Sequence, residues 1–194
     1  AYHVDTLSAS MLVLVSGMGA ICMPYAFKSI RAEIPEEKQA LFYTVYLLCL
    51  AGLLGMIVTH DAFNVFVFLE ISSLSTYTLI AMGKNRRSLV SAFEYLILGT
   101  IGATFYLIGV GLLYIKTGTL NMADLAHLLP ALHKSLAIKT AFAFITIGLA
   151  LKFALFPLHA WLCNAYTYAP SCVSAFLAGT ATKVSLYVLL RIVF

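Results

Sequence analysis

Charge is scarce in this sequence. Asp, Glu, Lys and Arg make up 10% of its 194 residues, while 62% are hydrophobic, against about 25% charged residues in a soluble globular domain. That shortage excludes a water-soluble fold and predicts an all-α, polytopic membrane protein. A compact binding surface for nucleic acid is excluded too, because the 12 basic residues behind the net charge of +4 are scattered over several joints instead of forming one stripe. Cysteine is sparse: Cys22, Cys49, Cys163 and Cys172 show no CxxC spacing and no secreted-domain framework, and read as packing residues. The histidines, His3, His60, His127, His133 and His159, include no pair facing each other within the spans, which excludes a bis-histidine haem. Neither HExxH, GxSxG nor GxxxxGK occurs, so no bond-making chemistry, metal or cofactor is expected.

What is abundant is long apolar runs. A helix needs about 20 apolar residues to cross the hydrocarbon, and windows of that length fall near 6–27, 40–59, 62–82, 95–115, 140–158 and 171–190. These predict about six transmembrane helices. Ala1 to Asp5 lacks the basic region of a signal peptide, and the apolar run behind it is too long for one, so the first span is expected to stay in the membrane. Ala1 in place of Met, and a last span reaching Phe194, point to part of a longer chain.

The joints are 28–39, His60 and Asp61, 83–94, 116–139 and 159–170. Lys28, Arg31, Lys38, Lys84, Arg86 and Arg87 fall on one side of the membrane, and Lys116, Lys134, Lys139 and Arg191 on the other. The first group lies in shorter loops, so the positive-inside rule makes that side cytoplasmic and turns both chain ends outward. In the joint 116–139, Asn121 is placed to cap a short surface helix with Asp124 in its first turn. No linker divides the chain, and a single membrane domain over 1–194 is expected.

Only three charges occur inside the six windows: Glu70, Lys152 and Lys183. A charge near the bilayer centre costs about 2.5–3.5 kcal/mol on insertion scales, so each needs a partner or a task. Helical spacing puts Phe63, Phe66, Ser73 and Tyr77 on the face of Glu70. The hydroxyls of Ser73 and Tyr77 make that face polar, which poises Glu70 to exchange a proton. Lys152 precedes Pro157, which cannot donate to the carbonyl of Phe153, so this helix is expected to bend or break beside the lysine. Broken helices with nearby charges form midplane ion sites in transporters. A carboxylate moving toward or away from Lys152 would load or release a proton. His159 follows the break and either passes protons to Lys152 from the cytoplasmic surface or anchors the helix end beside Trp161. Lys183 lies about twelve residues into its span, with Gly179 one turn before and Tyr187 one turn after, a face suited to a relay. The other reading of all three charges is mutual pairing that fixes helix packing.

"FLEISSLSTYTLIA", "GTLNMADL" and above all "LKFALFPLHAWLCNAYTYAPSCVSAFLAGTATKVSLYVLLR" resemble the antiporter-like subunits of the complex I and multisubunit Na+/H+ antiporter superfamily, most of all its D-type subunit. The resemblance spans roughly residues 60–194. It implies a proton path through a glutamate, a lysine in a broken helix and a lysine in the next one, matched by Glu70, Lys152 and Lys183, with His159 after the proline. Cys163 stands where the family has proline after the WL pair. Tyr166 stands where it has histidine, so the resemblance does not carry the cytoplasmic inlet over at that position. Glu94 stands where many members have lysine, which changes the charge at that helix start.

The family fold has about fourteen helices in two inverted five-helix repeats, and this chain resembles the first repeat plus one preceding helix. The second repeat belongs to a remainder of the chain, or comes from a partner chain, or has been lost. The resemblance implies a proton-translocating subunit of a cation/proton antiporter or a complex I-like redox pump, in a bacterial or archaeal cell membrane. Its partners would be other membrane subunits, lipid, protons and, as an open second ion, sodium. A scaffold subunit without its own proton path is the alternative, and a quinone-binding redox subunit ranks behind both. The chain alone is expected not to move protons, because beyond Lys183 only Ser185, Tyr187 and apolar residues precede Arg191.

Overall fold

The computed structural model describes residues 2–132 and 135–193; His133 and Lys134, like Ala1 and Phe194, lie outside the described residues. The described residues are helical apart from short joints and two isolated bridges. The helices are α1 (Thr6–Glu33), α2 (Glu36–Val58), α3 (Ala62–Ala81), α4 (Arg86–Thr117), α5 (Met122–Leu132), α6 (Leu136–Lys152), α7 (Ala160–Tyr168), α8 (Ser171–Gly179) and α9 (Ala181–Val193).

Side-chain caps set the starts of α1, α3, α4 and α5. Asp5 accepts from Ser8 N at 2.8 Å while Ser8 Oγ accepts from Asp5 N at 2.7 Å, a reciprocal cap that starts α1. Asp61 accepts from the amides of Phe63 and Asn64 and starts α3, and Asn85 accepts from Arg87 N and starts α4. Asn121 accepts from Ala123 N at 3.0 Å and Asp124 lies in the first turn of α5, as the sequence implied.

Five stretches are long and apolar enough to cross a membrane: α1, α2, α3, α4, and α8 and α9 taken together. The sixth apolar window, 140–158, does not form one helix. It supplies most of the 17-residue α6 and then enters the irregular stretch 153–159. The longer joints are themselves largely helical. Residues 86–94 belong to α4, which runs for 32 residues, and 160–168 form α7.

The charged joints sort to two ends. At one end Glu33 of α1 accepts from Ser171 N at 3.0 Å, and Arg87 donates to Tyr168 at 3.1 Å. At the other, His3 N donates to Val58 O, Ala62 N to Leu120 O and Met122 N to His60 O. There the rings of His3 and His60 lie 5.1 Å apart, and Asp5 pairs with Arg191 at 2.8 Å.

Small residues set the helix spacing, as expected where lipid removes the hydrophobic drive for helix association. A Cβ on Gly102 would lie 2.9 Å from the carbonyl of Gly148, and one on Gly148 would lie 2.8 Å from Tyr106 N. Only glycine lets α4 and α6 cross this closely. Buried tyrosines then lock neighbouring elements together: Tyr46 donates to Gly19 O (2.9 Å), Tyr106 to Ala62 O (3.0 Å) and Tyr187 to Ile57 O (3.1 Å). Cys22, Cys49 and Cys172 are free and buried, as packing residues should be. Cys163 is exposed on α7, because that short segment turns this side outward, and is not a packing residue.

Candidate functional site: a lysine at a helix break

The close crossing of α4 and α6 brings the last residue of α6, Lys152, against α3 and α4. Its side chain is only 4% exposed. The amine donates to Ser73 Oγ at 2.5 Å and to Tyr77 Oη at 3.4 Å, both on one face of α3. Among the described residues the ion pair Asp5–Arg191 is the sole one within 4.0 Å. Lys152 is therefore solvated by hydroxyls and not clamped by a carboxylate.

Glu70 stands one turn from Ser73 on α3. Its Oε1 is buried without a hydrogen-bond partner. Phe63, from the sequence-derived stripe, is 44% exposed and faces away from this centre, whereas Ser73 and Tyr77 are buried within it.

The break comes earlier than the proline. α6 stops at Lys152, Ala154 takes φ 57°, the Phe156–Pro157 bond is cis, and helix resumes at Ala160. Backbone donors inside the break satisfy two of the carbonyls left at the end of α6: Phe153 N donates to Leu149 O and Leu155 N to Ala150 O. A third, Leu151 O, accepts from the indole of Trp161 at 3.1 Å. Such backbone at membrane depth is tolerated only where protein or water satisfies it. Trp161 is thus buried and bonded at the break.

Tyr95 and Gly99 of α4 were not foreseen from the sequence, where Trp161 appeared only as a neighbour of His159. Trp161 stacks on Tyr95 of α4 with ring centroids 3.9 Å apart and planes 3° off parallel, and Tyr95 meets Tyr77 edge-on at 4.7 Å. Gly99 of α4 leaves the space that the Tyr77 hydroxyl occupies; a Cβ there would collide with that oxygen and lie 3.4 Å from the Lys152 amine. The signal that could have found them is the register of α4, since Tyr95 and Gly99 are one turn apart and Gly102 is the next small residue on that face.

His159 caps the start of α7 without a side-chain cap bond. Its Nδ1 is buried and unpartnered, and its ring lies 5.5 Å from that of Phe156. Lys183 is not gathered into the centre. It is exposed on α9 and donates to the carbonyl of Ala178 at the α8–α9 junction. Tyr187, expected beside it, is buried; it donates to Ile57 O and accepts from Arg191 Nε at 3.0 Å. Glu94 accepts from Asn164 of α7 at 2.9 Å.

Residues 59–194, which contain all of these positions, match the family described as NADH:quinone oxidoreductase/Mrp antiporter, TM. The chain belongs to this family. It is 53% identical over 98% of its length to NADH-quinone oxidoreductase subunit N of Desulforudis audaxviator, and covers 38% of that protein. It is 33% identical over 96% of its length to the D-type subunit of the Na(+)/H(+) antiporter of Alkalihalophilus pseudofirmus, covering 37% of it. The chain therefore spans little more than a third of the curated relatives it matches. Its fold is similar to a chain of the Mrp complex from Dietzia sp., with TM-score 0.87 and 31% identity over 98% of this chain and 35% of the other. It is also similar to a chain of respiratory complex I from Thermus thermophilus, with TM-score 0.79 and 26% identity over 96% of this chain and 40% of the other. A multi-pass membrane subunit of the complex I/Mrp antiporter family is what the sequence led one to expect, and both branches of that resemblance are represented.

Proposed function

We propose that this chain translocates protons as one membrane subunit of a larger cation/proton antiporter or complex I-like redox pump. Glu70, Lys152 and Lys183 are the relay groups and His159 the group facing the inlet. The observation that carries the reading is a hydrogen-bonded amine and an unpartnered carboxyl oxygen inside the same bundle. Lys152 holds a buried amine on two hydroxyls, and Glu70, one turn from one of those hydroxyls, has a buried oxygen without a partner. Ser73 and Tyr77 each both donate and accept, so a proton leaving Lys152 has groups to travel through, and Glu70 is the buried acceptor on that face.

Ser73 and Tyr77 support the relay by holding the amine, and the break at Pro157 lets its helix end move. Lys183, uncovered on α9, would hand protons sideways to a second bundle, from the remainder of the chain or from a partner subunit. Residues 1–194 are then one membrane domain, equivalent to the first antiporter-like repeat and one preceding helix. Alone in liposomes under a pH gradient it should leak no more protons than empty vesicles.

The test is proton flux in vesicles of the complete complex. Glu70→Gln keeps volume but cannot ionise, and should abolish most proton-coupled transport in a folded protein. Near-normal flux would sink the proposal. The bonds of Lys152 also tie α6 to α3, which favours a scaffold as second reading; retained transport in the double variant Glu70→Gln, Lys152→Met would establish it.

A further inference from the structure

At the end of the bundle where α1 meets α2 and α3 meets α4, a cleft of about 790 Å³ opens between the two joints. Lys38, Lys84 and Arg86 line it. None of the three side chains makes a hydrogen bond to the described residues, and none has a carboxylate oxygen within 4.0 Å. The neighbouring cations are engaged: Arg31 lies 4.0 Å over the ring of Phe27, and Arg87 donates to Tyr168. Glu33, the acid in the cleft, is engaged too. Its Oε1 accepts from Ser29 and Ser171, and its Oε2 from Ser171 N. Three cations are left with unused donors around one cavity. Glu36 and Glu37 stand nearby in the first turn of α2, but neither lines the cleft.

What lies beside the cleft identifies the class of ligand. From Arg86, the face of α4 continues through Leu89, Phe93 and Ile97 at helical spacing, and these are 58%, 61% and 46% exposed. A charged head on Lys38, Lys84 and Arg86 would sit directly above an open apolar stripe running toward the hydrocarbon. We infer that this cleft is a binding site for an anionic phospholipid, its phosphodiester held by Lys38, Lys84 and Arg86 and an acyl chain laid along Leu89, Phe93 and Ile97. Basic pockets between transmembrane helices suit such headgroups, and a soluble phosphate would leave the stripe unused. The site is separate from the proton relay and stands whether or not Lys152 titrates.

The test uses the intact complex in neutral detergent, incubated with equimolar phosphatidylglycerol and phosphatidylcholine and read by native mass spectrometry of retained lipid. Phosphatidylglycerol should be retained at least about fivefold over phosphatidylcholine, the worth of a single basic residue near a lipid surface. The preference should collapse toward unity in Lys38→Gln, Lys84→Gln, Arg86→Gln and persist in Lys139→Gln at the opposite end. Should the triple variant fail to assemble, Lys84→Gln alone should lose part of the preference, and Leu89→Gln with Phe93→Gln should lower retention of both lipids. An unchanged preference in the charge variants that assemble overturns the site. Displacement of bound phosphatidylglycerol by millimolar inorganic phosphate would equally overturn the lipid as occupant.

Discussion

Lys152 and Lys183 have the same chemistry and opposite surroundings. Lys152 closes α6 at the helix break, is 4% exposed, and is held by Ser73 and Tyr77 in a recess made by Gly99. Lys183 sits on an open face of α9, and its amine turns back onto the carbonyl of Ala178. An amine inside a membrane must be solvated by something. For Lys152 this chain supplies the solvation itself; for Lys183 it supplies one carbonyl. In the proposed relay the first site is complete within this chain and the second waits for a partner.

The comparison is broken most severely at Lys152. Lys152→Met should reduce proton flux in the complete complex by roughly two orders of magnitude, the usual worth of a positioned proton-transfer group. Lys152→Arg should preserve assembly and still impair turnover, because guanidinium does not release its proton at accessible pH. An Arg variant with normal flux would mean that charge alone suffices. Next in size is the recess. Gly99→Ala pushes a methyl group into the Tyr77 hydroxyl and should cost about 1–3 kcal/mol, the usual range for overpacking, seen as a lower Tm in detergent together with reduced flux.

Lys183 sharpens the contrast from the other side. Lys183→Met should leave the thermal stability of the chain within about 0.5 kcal/mol, as for a side chain away from packed features, while abolishing flux in the complete complex. A large loss of stability would show that the amine is structurally committed within this chain. The smallest effect concerns the ion pair that joins Asp5, at the start of α1, to Arg191 in the last turn of α9. Hydrogen bonds from the Ser8 amide and hydroxyl, with help from Arg191 and His3, hold the Asp5 carboxyl at about 2 against its ordinary 3.8. A depressed carboxyl stabilises the fold fully above the unfolded value, and that contribution is lost as pH falls from about 3.8 through about 2. Thermal unfolding followed against pH should show this slope in the native chain and not in Asp5→Asn.

Much of the architecture was legible because its signals are local. Apolar windows mark the spans, Asn121 and Asp124 mark α5, and a proline five residues after a lysine marks the break. The extent of the break was less legible. Pro157 removes one donor, yet the chain leaves the helix at Phe153, since the alternative bonds of Leu155 N and the Trp161 indole satisfy the carbonyls released. α4 begins nine residues before its apolar window because Asn85 caps a polar turn that remains helical. Tyr95, Gly99 and Trp161 were hidden for another reason. Their importance lies in contacts between elements, and in an apolar sequence an aromatic or a glycine looks the same whether it faces lipid or a lysine. The direction of Tyr187 was likewise settled by Ile57, which it meets only in the folded bundle.

Trp161 is the single tryptophan of this chain. It is stacked on Tyr95 and bonded by its indole N–H to the carbonyl of the residue before Lys152. The break therefore carries its own optical reporter. Any motion that pulls α7 away from the end of α6 must part that stack and wet the indole, shifting its emission to longer wavelength and weakening energy transfer from Tyr95. In this chain, fluorescence can follow the lysine's helix end without an added label.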